Sequence, residues 1–357
     1  MSTTNEAADG GRPQSMILKD EEQILNVGKL PNDLLARLID TYTSSDPSVI
    51  VGPGVGCDAA AVTVDGATLA IKSDPITFAT DDAPRYLVNV NANDIACLGA
   101  TPRWLSVTSL LPEGTTTLEF VERQFRELRE ACDECGVTLV GGHTEVTLGL
   151  TRPILVGQML GTPSPTGLLV PGGMRPGDRL LVTKAIAIEG TALLARELSA
   201  VLTVDHGGAF VERAKHLLYE PGISIVREAR LLLAAGGVTA LHDPTEGGLA
   251  TGVRELAIAG GCGVRLNRTA IPILPETAAV ASGLGLDPLG MLASGSLLAA
   301  VAPGAVEGAI EACHQADIPI NEIGVATTAE EGFSLVFDGG LIDLPSFQAD
   351  EVSRVLG

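Results

Sequence analysis

The chain has 357 residues, 45% hydrophobic and 19% charged, which excludes a disordered or fibrous protein and favours two domains, each able to bury a core. Lys and Arg number 23 against 44 Asp and Glu, and the resulting charge of −21 repels a phosphate backbone; aromatics at 3% offer few stacking platforms, so no nucleic-acid partner is expected. No apolar run approaches the ~20 residues of a membrane span, and Met1 to Gln14 lacks the basic-then-apolar order of a secretory signal, so a cytoplasmic protein with no membrane partner is expected.

Residues 1–16 read as a disordered leader. The first chemical segment is Gly52-Pro53-Gly54-Val55-Gly56-Cys57-Asp58-Ala59-Ala60. Gly52, Gly54 and Gly56 would let backbone amides approach an anion, with Asp58 holding a cation beside it, or the segment is a surface turn. It has neither the Gly-Lys-Ser/Thr of a Walker loop nor a dinucleotide fingerprint. Leu69-Ala70-Ile71 reads as a strand running into Lys72-Ser73-Asp74-Pro75, where Asp74 is either a metal ligand or a turn aspartate.

Tyr86 to Leu98 reads as a helix closed by Gly99. At about 100° per residue, Leu87, Asn91, Asp94 and Leu98 share one face, so an amide and a carboxylate sit in an apolar stripe. Such groups need partners when buried: a metal, a ligand hydroxyl, a facing arginine or a structural ion pair. Leu118 to Cys135 carries Val121, Phe125, Leu128 and Cys132 on one stripe, opened by a Thr116/Glu119 capping box and stopped by Gly136. Cys132 and Cys135 form a lone Cys-x-x-Cys, which reads as helix packing rather than half a zinc site or a redox pair.

Val137 to Val140 reads as a short strand ending at Gly141-Gly142-His143-Thr144-Glu145, and Ile154-Leu155-Val156 as another strand. Thr162 to Gly177, rich in Pro and Gly, marks the junction between domains over 17–165 and 166–357. Beyond it, strands at Arg179–Thr183, Val238–Leu241, Leu297–Val301 and Phe333–Phe337 alternate with helices at Gly190–Leu198, Ile223–Ala235 and Leu249–Ala259. This alternation predicts α/β layering. His242-Asp243-Pro244-Thr245-Glu246-Gly247-Gly248 links a strand to a helix, so Asp243 stands at a strand end and the amides around Thr245 and Gly247 could form an anion-binding helix terminus. His206, His216 and His314 have no partner pattern and read as surface or structural. Oxygen donors without a Cys/His cluster point to Mg²⁺ and a polyphosphate.

The ordered set Asp58-Ala59-Ala60, Lys72-Ser73-Asp74, Asn93-Asp94-Ile95-Ala96, Gly99-Ala100-Thr101-Pro102-Arg103, Gly141-Gly142-His143-Thr144-Glu145 and Asp243-Pro244-Thr245-Glu246-Gly247-Gly248 resembles the aminoimidazole ribonucleotide (AIR) synthetase, or PurM-like, superfamily, and its HypE-like branch most closely. The resemblance spans about Leu30 to Asp338. It implies two α/β domains, with a homodimer whose N-terminal sheets join in a β-barrel, and ATP with Mg²⁺ in a cleft at that interface. It also implies activation by phosphorylation of an oxygen on a small amide- or carboxyl-bearing substrate. On this basis Asp58, Asp74, Asp94 and Asp243 are expected to hold metal. Gly52, Gly54, Gly56, Lys72, Asn91, Gly141, Gly142, Thr144, Thr245 and Gly247 are expected to hold nucleotide, and His143 and Glu145 to face substrate.

Three departures bear on the reaction. HypE ends in a reactive Cys, whereas this chain ends Ser353-Arg354-Val355-Leu356-Gly357; Glu145 replaces a Lys; and Ala293-Ser294-Gly295-Ser296 replaces Ala-Asn-Glu-Gly, losing a carboxylate. The alternatives are a kinase like thiamine-monophosphate kinase, or a nucleotide-binding maturation partner without turnover.

Overall fold

The computed structural model describes residues 30, 32–54, 57–77, 81–169 and 172–356; the expected leader over 1–16 and Gly56 of the glycine loop lie outside them. The first half runs α1 (Asn32–Tyr42), β1 (Val49–Val51), β2 (Ala60–Val64), β3 (Ala67–Ile76), α2 (Ala83–Cys97), β4 (Ala100–Pro112), α3 (Leu118–Cys135), β5 (Thr138–Thr147) and β6 (Ile154–Pro163). The second half begins with β7 (Arg179–Thr183), α4 (Ile188–Glu197), α5 (Ser199–His206), α6 (Gly208–His216), α7 (Val226–Ala235), β8 (Val238–His242) and α8 (Gly248–Gly260). It continues through β9 (Cys262–Asn267), α9 (Pro275–Leu284), β10 (Leu298–Val301), α10 (Val306–His314), β11 (Ile320–Thr328), β12 (Phe333–Phe337), β13 (Gly340–Asp343) and α11 (Ser353–Leu356).

Among the described residues the strands form two open sheets, ordered β1-β2-β3-β6-β4-β5 and β13-β12-β9-β11-β7-β10-β8. Helices and sheets are layered as expected, but only the β4–β5 and β9–β12 pairs are parallel. The rule that ligands collect beyond the carboxyl ends of parallel strands therefore does not locate this site.

Two strands run further than their sequences suggest. β3 continues through Asp74 and Pro75 to Ile76, so Asp74 is a strand residue facing Gly157 of β6, not a turn aspartate. β5 continues through Gly141-Gly142-His143-Thr144-Glu145, which is therefore not a loop after a strand. Val140 is the extra residue of a bulge, because Leu139 pairs with Leu105 and Gly141 with Ser106. Gly142 has φ 145°, and a Cβ there would lie 1.8 Å from the Val107 carbonyl oxygen, so close strand packing explains this glycine without a ligand.

α2 organises the first half. Every residue of it but Arg85 is buried, although three asparagines and an aspartate give it modest intrinsic helix propensity, so tertiary packing holds it. It lies on the sheet because β6 offers glycines beneath it: a Cβ on Gly157 would meet Asn91 Nδ2 at 2.6 Å, and one on Gly161 would meet Ile95 Cγ2 at 2.4 Å. α3 packs beside it. Its cap is Thr117, which accepts from the Phe120 amide at 3.1 Å, while Thr116 Oγ1 donates to the Pro112 carbonyl; the expected cap is thus shifted by one residue. Its buried face is Gln124, Leu128, Ala131 and Cys132, with Phe125 exposed. Cys132 and Cys135 are free thiols.

The second sheet is covered on both faces, following its two-residue period. Leu180, Val182, Leu298 and Ala300 pack with Val253 and Leu256 of α8 on one side. Leu181, Ala299 and Val301 pack on the other with α7, α10 and, from the first half, Ala96 and Cys97 of α2. The end of α2 is therefore shared by both halves, and the polar residues on it face the seam between them.

Candidate functional site

Lys72 on β3 reaches two carboxylates, Asp94 of α2 at 2.7 Å and Asp74 at 3.2 Å. Asn91 fixes the strand they hang from, accepting from the Asp74 amide at 3.0 Å and donating to the Leu87 carbonyl at 2.9 Å. Asn91, expected at the nucleotide, is thereby bonded on both its amide atoms within the chain. The partner of the buried Asp94 is a lysine, which matches the structural ion pair among the partners expected for it.

The second half closes the seam. Asp58, just before β2, pairs with Nδ1 of His242 at the end of β8 at 2.9 Å, and the other ring nitrogen meets Glu255 of α8 at 3.2 Å. Asn93 donates to Asp243 Oδ2 at 2.8 Å and to the Ile223 carbonyl, and accepts from the Ile225 amide. Asp243 Oδ1 is buried without a partner. His242, Asn93 and Glu255 were not assigned from sequence; the first two lie inside the motifs read there, and Glu255 had no signal beyond its place on an amphipathic helix.

Lys72 links Asp74 to Asp94, Asn93 beside Asp94 meets Asp243, and His242 beside Asp243 meets Asp58, so the four aspartates gather at the seam. Burial, then the Asp58 and Asp74 charges, push the Asp94 carboxyl up against the pull of Lys72. Burial and Asp94 push Asp243 well above the usual carboxylate range. The Cys97 thiol is raised by burial and then by Asp58, Asp243 and Asp94 together. Burial disfavours the charge on Lys72 and on His242, but their carboxylate neighbours outweigh it, so both are held protonated. One ammonium and one imidazolium thus face Asp58, Asp74, Asp94, Asp243 and Glu255, and the seam retains negative charge.

Carboxylate oxygens suit Mg²⁺ in kind, and Asp243 Oδ1 is a buried oxygen lacking a donor. Among the described residues, however, no three His, Cys, Asp or Glu side chains stand close enough to hold an ion as they are. The Lys72 ammonium sits between Asp74 and Asp94 instead.

Other expected site residues fall elsewhere. Gly52 and Gly54 lie between β1 and Asp58, where Cys57 donates its amide to the Gly54 carbonyl. Gly141, Gly142, His143, Thr144 and Glu145 are exposed on β5, the edge strand. They lie three strand spacings from β3, about 14 Å, and His143 Nε2 pairs with Glu145 at 2.9 Å. At the start of α8 the Gly247 amide is already taken by Asp350 Oδ2 at 2.8 Å, so the chain's own carboxylate occupies the expected anion terminus. The Thr245 carbonyl accepts from Gly248 and Ala293.

Comparison with known proteins places this geometry in a family. Residues 56–162 match the model described as AIR synthase related protein, N-terminal domain, and residues 175–336 its C-terminal domain. Carbamoyl dehydratase HypE of Rhodobacter capsulatus is 31% identical over 302 residues, covering 79% of this chain and 82% of that protein. The crystal structure of hydrogenase maturation protein HypE in complex with ATP superposes with a TM-score of 0.67 at 23% identity, over 88% of this chain and 91% of that one. The thiamine monophosphate kinase of Aquifex aeolicus, in complex with AMPPCP and TMP, gives 0.68 at 18% identity, over 89% and 94%. At these identities the structural likeness speaks for the fold. Shared sequence over four-fifths of a HypE and both matched domain models together establish that the chain belongs to the AIR synthase related, PurM-like family, on its HypE-like branch.

Proposed function

We propose that the chain is an ATP- and Mg²⁺-dependent enzyme that activates, by phosphorylation, an oxygen of a small amide- or carboxyl-bearing substrate. The observation that carries this reading is the gathering of Asp58, Asp74, Asp94 and Asp243 along one seam through Lys72, Asn93 and His242, with Asp243 Oδ1 unpartnered. The ATP complex of a HypE and the AMPPCP complex of the kinase, both of this fold, support it.

Asp58, Asp74, Asp94 and Asp243 would each supply one carboxylate to Mg²⁺, one or two per ion with phosphate and water completing the shell, since no three of them could hold an ion alone; when bound, Mg²⁺ neutralises phosphate charge. Phosphoryl transfer asks chiefly for positioning and charge stabilisation. Lys72, held protonated by Asp94 and Asp74, is a cation ready to turn from its carboxylates to a phosphate oxygen. Gly52 and Gly54 would let the turn before Asp58 close over the nucleotide, together with Gly56. The exposed β5 edge, with Val140 and Val146 more than half exposed, supports the homodimeric barrel that the family resemblance implies. In that dimer His143, Thr144 and Glu145, with Gly141 and Gly142, would reach a nucleotide site across the interface.

Asp94→Asn tests the reading. ADP release from Mg·ATP with an amide acceptor is expected to fall on the order of 100-fold, while the melting temperature is kept. Unchanged release would remove Asp94, and with it the metal assignment. The kinase neighbour favours a second reading, direct phosphate transfer to an acceptor. Product analysis separates the two, since a kinase accumulates a phosphorylated acceptor in equal amount to ADP. A binding partner without turnover would bind ATP calorimetrically and release no ADP.

A further inference from the structure

A cavity of about 570 Å³ lies at the other end of α2 from the aspartates. Asp82 precedes that helix and Asp94 stands near its end, about 18 Å away at ~1.5 Å per residue. The walls come from both halves: Pro84 of α2 and one face of α3 from the first, and α4, α6 and Tyr219 from the second. Phe120, Gln124 and Glu127 line it at helical spacing. The same face of α3 goes on to bury Leu128 and Cys132, so its first turns meet an open space where the later ones meet a core.

Two polar atoms in this wall lack partners among the described residues. Gln124 is 3% exposed and its Oε1 accepts from nothing, while Nε of Arg196, at the end of α4, donates to nothing. Such atoms lose their hydration without a hydrogen bond in return. The rest of the Arg196 guanidinium is engaged, by Asp82 and by the Lys215 carbonyl, and the Tyr219 hydroxyl donates to the same Asp82. The other lining charges pair off with one acid to spare. Lys215 meets Glu212 at 2.9 Å and Arg123 stands 3.8 Å from Glu127, but Asp81 has no cation within ion-pair reach among the described residues.

We propose that this cavity binds a free amino acid with a cationic side chain, of the size of ornithine, lysine or arginine. The site is separate from the nucleotide seam, and its occupation does not depend on turnover there. Such a molecule carries one net positive charge, which matches the unpaired Asp81. Its side-chain cation would lie against Asp81 and donate to Gln124, whose amide turns about a broad terminal torsion to bring the oxygen to the interior. Its carboxylate would accept from Arg196 Nε and from the Lys215 ammonium, charge-assisted bonds that give the guanidinium its missing acceptor. A diamine has no carboxylate for Arg196, a neutral amino acid leaves Asp81 without a cation, and an acidic one adds to the negative charge.

Calorimetric titration of the full chain, without nucleotide, tests this with L-arginine, L-ornithine and L-lysine against L-glutamine, L-glutamate and putrescine. At least one cationic amino acid is expected to bind with a Kd below about 1 mM. It should bind at least about tenfold more tightly than the three comparison compounds, and it should raise the melting temperature. Asp81→Asn and Gln124→Met should each weaken that binding about tenfold. Gln124→Met replaces an amide that has no partner for its oxygen by an apolar chain of similar volume, so without ligand it should melt no lower than wild type. Absence of binding by all three cationic amino acids would mean that water alone fills the cavity, and would overturn the proposal. Putrescine bound as tightly would overturn the carboxylate subsite at Arg196, and wild-type affinity in both variants would place the ligand elsewhere on the chain.

Discussion

At the scale of single residues, the site is a contest between burial and charge. Glu189 shows the consequence most simply. Its folded carboxyl titrates near 7 against an ordinary 4.5, so the folded state binds a proton more tightly than the unfolded chain does. The sign follows: this group's contribution to stability is fully present below 4.5 and is lost as pH rises through 7. The loss amounts to up to about 3 kcal/mol. Denaturant titrations across that window should show wild type losing stability that Glu189→Gln keeps. In the sequence Asp58, Asp74 and Asp243 stand out because each lies in a polar segment beside a strand signal, and Asp94 because it interrupts the apolar stripe of α2. The sequence did not show that Lys72 binds two of them, since nothing in a strand sequence tells which helix residue will lie over it. Glu189 was invisible for a related reason: an acid in a first helical turn is ordinarily an exposed dipole partner, and only tertiary packing buries this one.

At the scale of elements, α2 and β6 form a matched pair. Their fit depends on missing side chains: Gly157 leaves room for Asn91, which in turn holds the Asp74 backbone. Gly157→Ala should therefore cost about 1–3 kcal/mol in denaturant unfolding, and it should weaken ATP binding beyond what that loss explains, because Asp74 moves with Asn91. Unchanged ATP affinity at reduced stability would show that the Asn91 contact does not position the site. Helices with clear stripes and stops, such as α3 and α8, were legible nearly to their ends. β4 was not, because its 13 residues open with Ala100-Thr101-Pro102-Arg103 and look like a loop. The continuation of β3 past Lys72 was hidden by Ser73-Asp74-Pro75, a turn sequence that pairing with β6 overrides. The end expected for the strand at Gly141-Gly142 was misplaced similarly, since β5 runs on through both and Gly142 lets β4 approach closely.

At the scale of the whole molecule, the halves are joined by charge as well as packing. Asp58 and His242, 184 positions apart, pair across the seam, and Glu255 holds the other side of the ring. Burial disfavours the imidazolium, but both carboxylates outweigh it and raise its titration well above the ordinary 6.5. Stability from this contact is thus fully present below 6.5 and disappears as pH rises through the elevated folded value. His242→Gln should lose about 1.5–3 kcal/mol at neutral pH and show a flatter alkaline limb in thermal melts; an unchanged limb would mean that the pair does not tie the halves together.

The burial of α2 limits how the molecule can work. Its first residues pack against one half and Ala96 and Cys97 sit in the core of the other, so it acts as a common axle with no bare side. A jaw-like opening of the two halves would have to tear this helix from one of its beds. Access to the aspartates then cannot come from the halves swinging apart about this helix.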